Sequence, residues 1–187
     1  MRDLTAVILA AGESKRMRSR RPKALHLLGG RRLIDYPVRV ARALGARVVL
    51  VIGRDADAVR EAVGEATDLS YAEQKERLGT GHALLQARGA CGDGGGTILV
   101  LPGDQPLMSE AMIRGLVERH REAGAAATLL TAVLDDATGY GRVLRKEVGP
   151  WPSWSIATPR QSSARSARSA PARTASRPAG SGALSTA

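Results

Sequence analysis

Short β-branched, apolar runs alternate with helical patterns from residue 5 to residue 133, and this alternation sets the fold. A run at Thr5–Ala10 is followed by a helical pattern near Leu33–Leu44, then Ala46–Ile52 by Ala56–Val63, and Leu69–Ala72 by Thr80–Ala90. Thr97–Leu101, a helical stretch from Ser109 to Ala123 and a last apolar run at Ala126–Val133 complete the series. Such spacing predicts right-handed βαβ units and an α/β, doubly wound, mostly parallel sheet covered on both faces. Ligands of such sheets sit beyond the carboxyl ends of the strands. Two motifs fall there: Gly12 after the first run, and Pro102-Gly103-Asp104 after ILVL.

The stretch Leu9–Gly30, LAAGESKRMRSRRPKALHLLGG, joins a strand end to a glycine turn and then to regularly placed cations. Small residues at Leu9-Ala10-Ala11-Gly12 let backbone N–H groups approach phosphate oxygens, and Arg16, Arg18 and Lys23 offset their charge. Pro22 limits the freedom of the loop that carries Lys23. The substrate expected from this pattern is a nucleoside triphosphate, although an ordinary βα turn with solvated charges has the same spelling. Asp104, a hard oxygen ligand at a strand end, suits Mg²⁺, which takes one or two carboxylates and keeps its phosphate and water ligands. A capping Asp in a turn is the alternative. In Gln74–His82, QKERLGTGH, residues Gly79, Thr80 and Gly81 precede a helix and could face a base or ribose, or Thr80 could simply cap that helix. Gly139-Tyr140-Gly141-Arg142 could bring backbone to a ligand or form a hairpin turn. His26, His82 and His120 lack metal-ligand spacing, and Cys91 reads as a small core residue rather than a nucleophile.

With 187 residues and 43% hydrophobic content the chain can bury a core. Half of its formal +10 charge lies in the five arginines after residue 147, a segment without an acid. That Arg/Ser/Ala/Pro-rich stretch, residues 148–187, has no apolar periodicity and reads as a disordered basic tail, following a nucleotidyltransferase domain at 1–147. It lacks aromatic interleaving beyond Trp151 and Trp154, so nucleic-acid binding is not expected. A single cysteine, no signal-peptide layout and no apolar run of membrane-spanning length point to a cytoplasmic setting without membrane attachment.

Four segments, LAAGESKRMRSRRPKALHLLGGRRLI, QKERLGTGHALL, LVLPGDQPL and TGYGRVLR, resemble in order and approximate spacing the N-terminal uridyltransferase domain of the bifunctional N-acetylglucosamine-1-phosphate uridyltransferase/glucosamine-1-phosphate acetyltransferase family. The resemblance covers residues 4 to about 146, and its most specific strings are PK-x-LH and LGTGHA. It implies a Rossmann-like nucleotide-diphospho-sugar transferase fold, incomplete here at the C-terminus. It further implies that Leu9, Ala10, Ala11 and Gly12 contact the nucleotide, that Arg16 and Lys23 carry the phosphate charge as catalytic groups, and that Gln74, Gly79 and Thr80 hold the uridine. Asp104 would bind Mg²⁺ and Gly141 would line the sugar site. The implied partners are UTP and N-acetylglucosamine 1-phosphate, and the product is UDP-N-acetylglucosamine, a precursor of cell-wall peptidoglycan and lipopolysaccharide. The resembled family's trimer is built mainly by a domain with no counterpart here, so the resemblance leaves the oligomeric state open. The first loop, Gly12-Glu13-Ser14-Lys15-Arg16, departs from the family's usual Gly-x-Gly-Thr-Arg and is spelled more like the molybdenum-cofactor nucleotidyltransferases. A cofactor-type or other sugar-1-phosphate nucleotidyltransferase is therefore the alternative.

Beyond Val148 the family's IVE-x-x-DA segment, with its sugar-binding Glu, is missing. With codons shifted by one base, the first base of each being free, Pro152–Ser169 can be read as IVEHRDATPEQRAIREI, and the following positions allow x-T-G-x-Y. The codon spanning Ser169 and Ala170 permits Ser, Gly, Arg or Cys but not the family's metal-binding Asn. The expectation is an out-of-frame tail, with an unpaired sheet edge, weak UTP binding and little turnover.

Overall fold

The computed structural model describes residues 3–12, 17, 19, 21–76, 78–92, 96–138, 140–148 and 151–157. The chain forms two compact units, Met1–Glu118 and Arg119–Ala187. In the first, strands β1 (Leu4–Leu9), β4 (Arg47–Ile52), β5 (Leu69–Glu73) and β6 (Thr97–Pro102) form one parallel sheet in the order β5-β4-β1-β6. Two short strands, β2 (Leu27–Leu28) and β3 (Arg31–Arg32), pair as a hairpin between β1 and helix α1 (Asp35–Ala43).

The central strands are apolar without alternation because both their faces are covered. Ala6, Ile8, Val48, Leu50 and Ile52 pack on one side with α1, with Val59 of α2 (Ala56–Val63) and with Ile113 and Val117 of α5 (Glu110–Glu122). On the other face, Val7, Val49 and Val51 meet Ala83 of α3 (Thr80–Gln86) and Ala87, just before α4 (Arg88–Cys91). The doubly wound parallel sheet expected from the alternation is thus the observed one.

Ala126–Val133 is a correction: expected as a strand, it carries no ladder. Its Val133 is fully exposed, and Leu129 and Leu130 also face solvent. A β-favouring composition forms a strand only where a neighbouring strand supplies hydrogen-bond partners, and none among the described residues pairs with it. The helical pattern Thr80–Ala90 is likewise two pieces, because Ala87 N–H bonds Leu84 O at 3.0 Å, tightening the last turn of α3 before α4 begins. In the second unit, β7 (Arg142–Val148) pairs antiparallel with β8 (Trp151–Ala157). Strand pairing therefore runs into the segment read as tail, and residues 158–187 lie outside the described part.

Within the described sheet β6 is an edge strand. Its Leu99 and Leu101 are buried, whereas Ile98 and Val100 on the opposite face are 45% and 39% exposed. The chain folds outward from β1 through β4 to β5, then crosses back to place β6 on the other side of β1. The strand order therefore reverses between β1 and β6, where a doubly wound sheet opens a crevice at its carboxyl edge.

Candidate active site

Three loops meet at that edge. Ala10 N–H donates to Val51 O at 2.8 Å, and Gly103 N–H donates to Leu9 O at 2.9 Å. A Cβ on Gly103 would stand 2.9 Å from Leu9 O and 3.2 Å from the Ala10 Cβ, and one on Gly53 would stand 3.1 Å from the Ala11 Cβ. A side chain at Gly103 would force the strand ends apart, and one at Gly53 would make its neighbour give by a few tenths of an ångström. The Gly103→Ala variant is accordingly expected to lose about 1–3 kcal/mol of stability in urea unfolding, the cost of overpacking against backbone that cannot move aside. Unchanged stability would show that the loops can separate.

Lys23 is positioned by a 3₁₀ turn, Lys23–Leu25, entered from the extended Pro22. Leu25 N–H bonds Pro22 O at 2.9 Å and Ile34 N–H bonds the carbonyl of buried Ala24 at 3.0 Å, which pins the turn to the core. From there the Lys23 ammonium forms an ion pair with Asp104, the residue directly after Gly103. Both side chains are about one-third exposed, at 36% and 37%. The sequence separates these two residues by 81 positions, and the switch point brings them together.

A second group lies beyond β5. Gln74 N–H extends the sheet by bonding Ile52 O at 2.8 Å, and the Gln74 side chain is only 5% exposed. Its amide Nε2 donates to Gly79 O at 3.2 Å and lies 3.1 Å from His82 Nδ1. Gly79 has φ 103°, a left-handed conformation that favours glycine, and it caps α3 in place of the Thr80 side chain. Thr80 is the first residue of the helix and is exposed. Gln74 lines a cavity of about 430 Å³ with Gly53, Arg54, Glu73 and Lys75.

The structure thus brings Leu9, Ala10, Ala11, Gly12, Lys23, Asp104, Gln74, Gly79 and Thr80 to the carboxyl edge of one sheet. Arg16 lies outside the described residues. Gly141 is exposed and immediately precedes β7 in the second unit. Sequence reasoning overlooked Gly53, Arg54 and Lys75; the signal for Gly53 is that it ends its strand as Gly103 does.

The remaining reactive groups are engaged elsewhere. His26 and His120 contact Arg21 O and Thr128 Oγ1, at 3.2 and 3.0 Å. Burial pushes the Cys91 thiol above its ordinary pKa, against the opposing effect of Arg47, which weakens it as a nucleophile. Among the described residues no three His, Cys, Asp or Glu side chains cluster as a metal cage. Asp104 offers a lone hard-oxygen donor. That fits Mg²⁺, which such sites hold through one or two carboxylates and the substrate's own phosphates.

The MobA-like NTP transferase domain family matches residues 6–167. The chain belongs to that family. It is 48% identical over 150 residues to the Bifunctional protein GlmU of Pelobacter propionicus, a match covering 80% of this chain and 33% of the relative. The bifunctional GlmU of Heliobacterium modesticaldum is 44% identical over 150 residues, covering 80% and 32%. The chain therefore spans about a third of the length of the curated relatives it matches. These matches bear out the resemblance carried by the PK-x-LH and LGTGHA strings. Among solved structures, a Methanothermobacter nucleotidyl transferase (Mth528) is 30% identical with a TM-score of 0.54, covering 62% of this chain and 56% of its own. Rv0371c from Mycobacterium tuberculosis, solved in complex with manganese, is 26% identical with a TM-score of 0.51, covering 62% and 58%. The family match and these relatives agree on an NTP transferase domain. No helix among the described residues is long and apolar enough to cross a membrane.

Proposed function

We propose that the chain carries a uridyltransferase site that joins UTP to N-acetylglucosamine 1-phosphate, releasing pyrophosphate and forming UDP-N-acetylglucosamine. The observation that carries this reading is the Lys23–Asp104 pair, held at the switch point beside the Leu9–Gly12 turn. A phosphate-binding turn, a cation and a metal-suited carboxylate are the parts that phosphoryl and nucleotidyl transfer needs.

A sugar 1-phosphate oxygen attacks the α-phosphorus of UTP. A new P–O bond forms as the bond to the β-phosphate oxygen breaks, and the electron pair leaves with pyrophosphate. The nucleophile is already an anion, so no general base is needed, and catalysis rests on alignment and charge stabilisation. Backbone N–H groups of Ala11 and Gly12 hold the phosphates, and Gln74 with the Gly79–Thr80 turn holds the uridine. Asp104 would hold a divalent cation, which when bound offsets phosphate charge. Lys23 then exchanges the Asp104 carboxylate for a phosphate oxygen. Arg16 would add a further cation.

Calorimetric titration with UTP, CTP, GTP and ATP in Mg²⁺, followed by a pyrophosphate-release assay, tests the reading. UTP is expected to bind tightest of the four, though weakly, with slow release that depends on N-acetylglucosamine 1-phosphate. Tighter GTP binding, or release that another sugar phosphate supports equally, would overturn it.

A further inference from the structure

The Gln74 side chain is nearly fully buried, yet its hydrogen bonds use only one end of the amide. Gly79 O can only accept, so the group facing it at 3.2 Å must be the NH₂. The same NH₂ lies 3.1 Å from His82 Nδ1, which therefore accepts, and the ring proton sits on Nε2. On the far side of the ring, the Gln86 amide lies 3.1 Å from Nε2 and completes the chain once its oxygen faces that N–H. The Gln74 Oε1 is left with no hydrogen-bond partner among the described residues, although the residue is 5% exposed and lines the cavity beside Gly53, Arg54 and Lys75. A buried carbonyl oxygen left unpaired is costly, and the cost is recovered when a ligand donates to it.

We propose that His82 is a positioning residue: by accepting from the Gln74 amide it fixes Oε1 as the atom offered to the base, and so selects a base edge bearing an N–H over one bearing an acceptor. Uracil carries an N–H at N3, where cytosine carries a lone pair. Gly79 O alone favours the same rotamer, but a single 3.2 Å contact leaves the flipped amide accessible, and His82 adds the second restraint. The proposal rests on the reading of Gln74 as the base contact. It adds that discrimination at this contact is set one residue further out, on α3.

The test compares UTP and CTP dissociation constants, measured by calorimetry with Mg²⁺, for the wild-type chain and for His82→Ala and His82→Asn. His82 is half-buried on a helix where Ala is the best helix former, and circular dichroism checks that each variant is folded. The Asn side-chain oxygen takes the place of Nδ1 and restores the acceptor. The wild-type chain is expected to favour UTP by at least about tenfold, roughly the worth of one well-made hydrogen bond against an unpaired group. His82→Ala is expected to lose most of that preference, and His82→Asn to retain it to within about threefold. A merely structural role for His82 would weaken both nucleotides alike and leave their ratio unchanged, which would overturn the proposal. No UTP preference in the wild-type chain would instead overturn the reading of Gln74 as a base contact, and the proposal with it.

Discussion

Asp104→Asn is expected to abolish the increase in UTP affinity that Mg²⁺ gives the wild-type chain, and to strengthen UTP binding in the absence of metal. Both effects follow from the carboxylate's position. Asp104 follows β6 at the switch point, beside the Leu9–Gly12 loop, and no cluster of further acids or histidines is present among the described residues to take over a cation. Its amide replacement is a neutral and much poorer ligand for a hard cation. The expected loss in the presence of Mg²⁺ is about 10- to 100-fold, the range that interactions with charged groups span. Without metal the sign reverses: the variant removes a negative charge facing an anionic ligand and frees Lys23 from its ion pair. Titrations in Mg²⁺ and in EDTA measure the two arms. A metal response equal to that of the wild type would show that the cation is held elsewhere.

Lys23→Ala is expected to lower UTP affinity by about 10- to 100-fold in Mg²⁺, while leaving thermal stability almost unchanged. The two halves of this prediction separate a binding role from a structural one. The ion pair with Asp104 joins side chains that are about one-third exposed, and pairs at such positions contribute only about 0–1 kcal/mol to folding. The backbone around Lys23 is held by bonds that do not involve its side chain: Leu25 N–H to Pro22 O, and Ile34 N–H to Ala24 O. Truncation therefore leaves the turn in place and removes only the cation. Lys23→Arg should restore part of the affinity, because a planar guanidinium at the end of the same turn does not reproduce the compact ammonium. A large fall in melting temperature with unchanged affinity would reverse the assignment.

The arrangement of strands and helices was legible because it depends on local periodicity and on burial of both sheet faces. Val48–Ile52 reads as an uninterrupted apolar run, and α2 has the same bounds, Ala56–Val63, that its pattern predicts. That the Leu9–Gly12 loop and Asp104 share one edge was legible because parallel strands place their carboxyl ends there. The pairing of Lys23 with Asp104 was not, since a separation of 81 residues carries no local signal. Nor was the Gln74–His82 contact, which depends on the turn of chain at Gly79 and its φ of 103°. The strand expected at Ala126–Val133 failed for the opposite reason: its composition favours extended backbone, but pairing is a property of the neighbouring chain.

A nucleoside triphosphate is expected to bind across the carboxyl edge of the β5-β4-β1-β6 sheet. Hydrogen–deuterium exchange with and without UTP and Mg²⁺ tests it most directly. Protection is expected in the peptides that contain Ala10–Gly12, Gly103–Asp104 and Gln74–Thr80, with little change in α2 and at the amino ends of the strands. Protection confined to the opposite edge of the sheet, or to α1 and α5, would contradict the account.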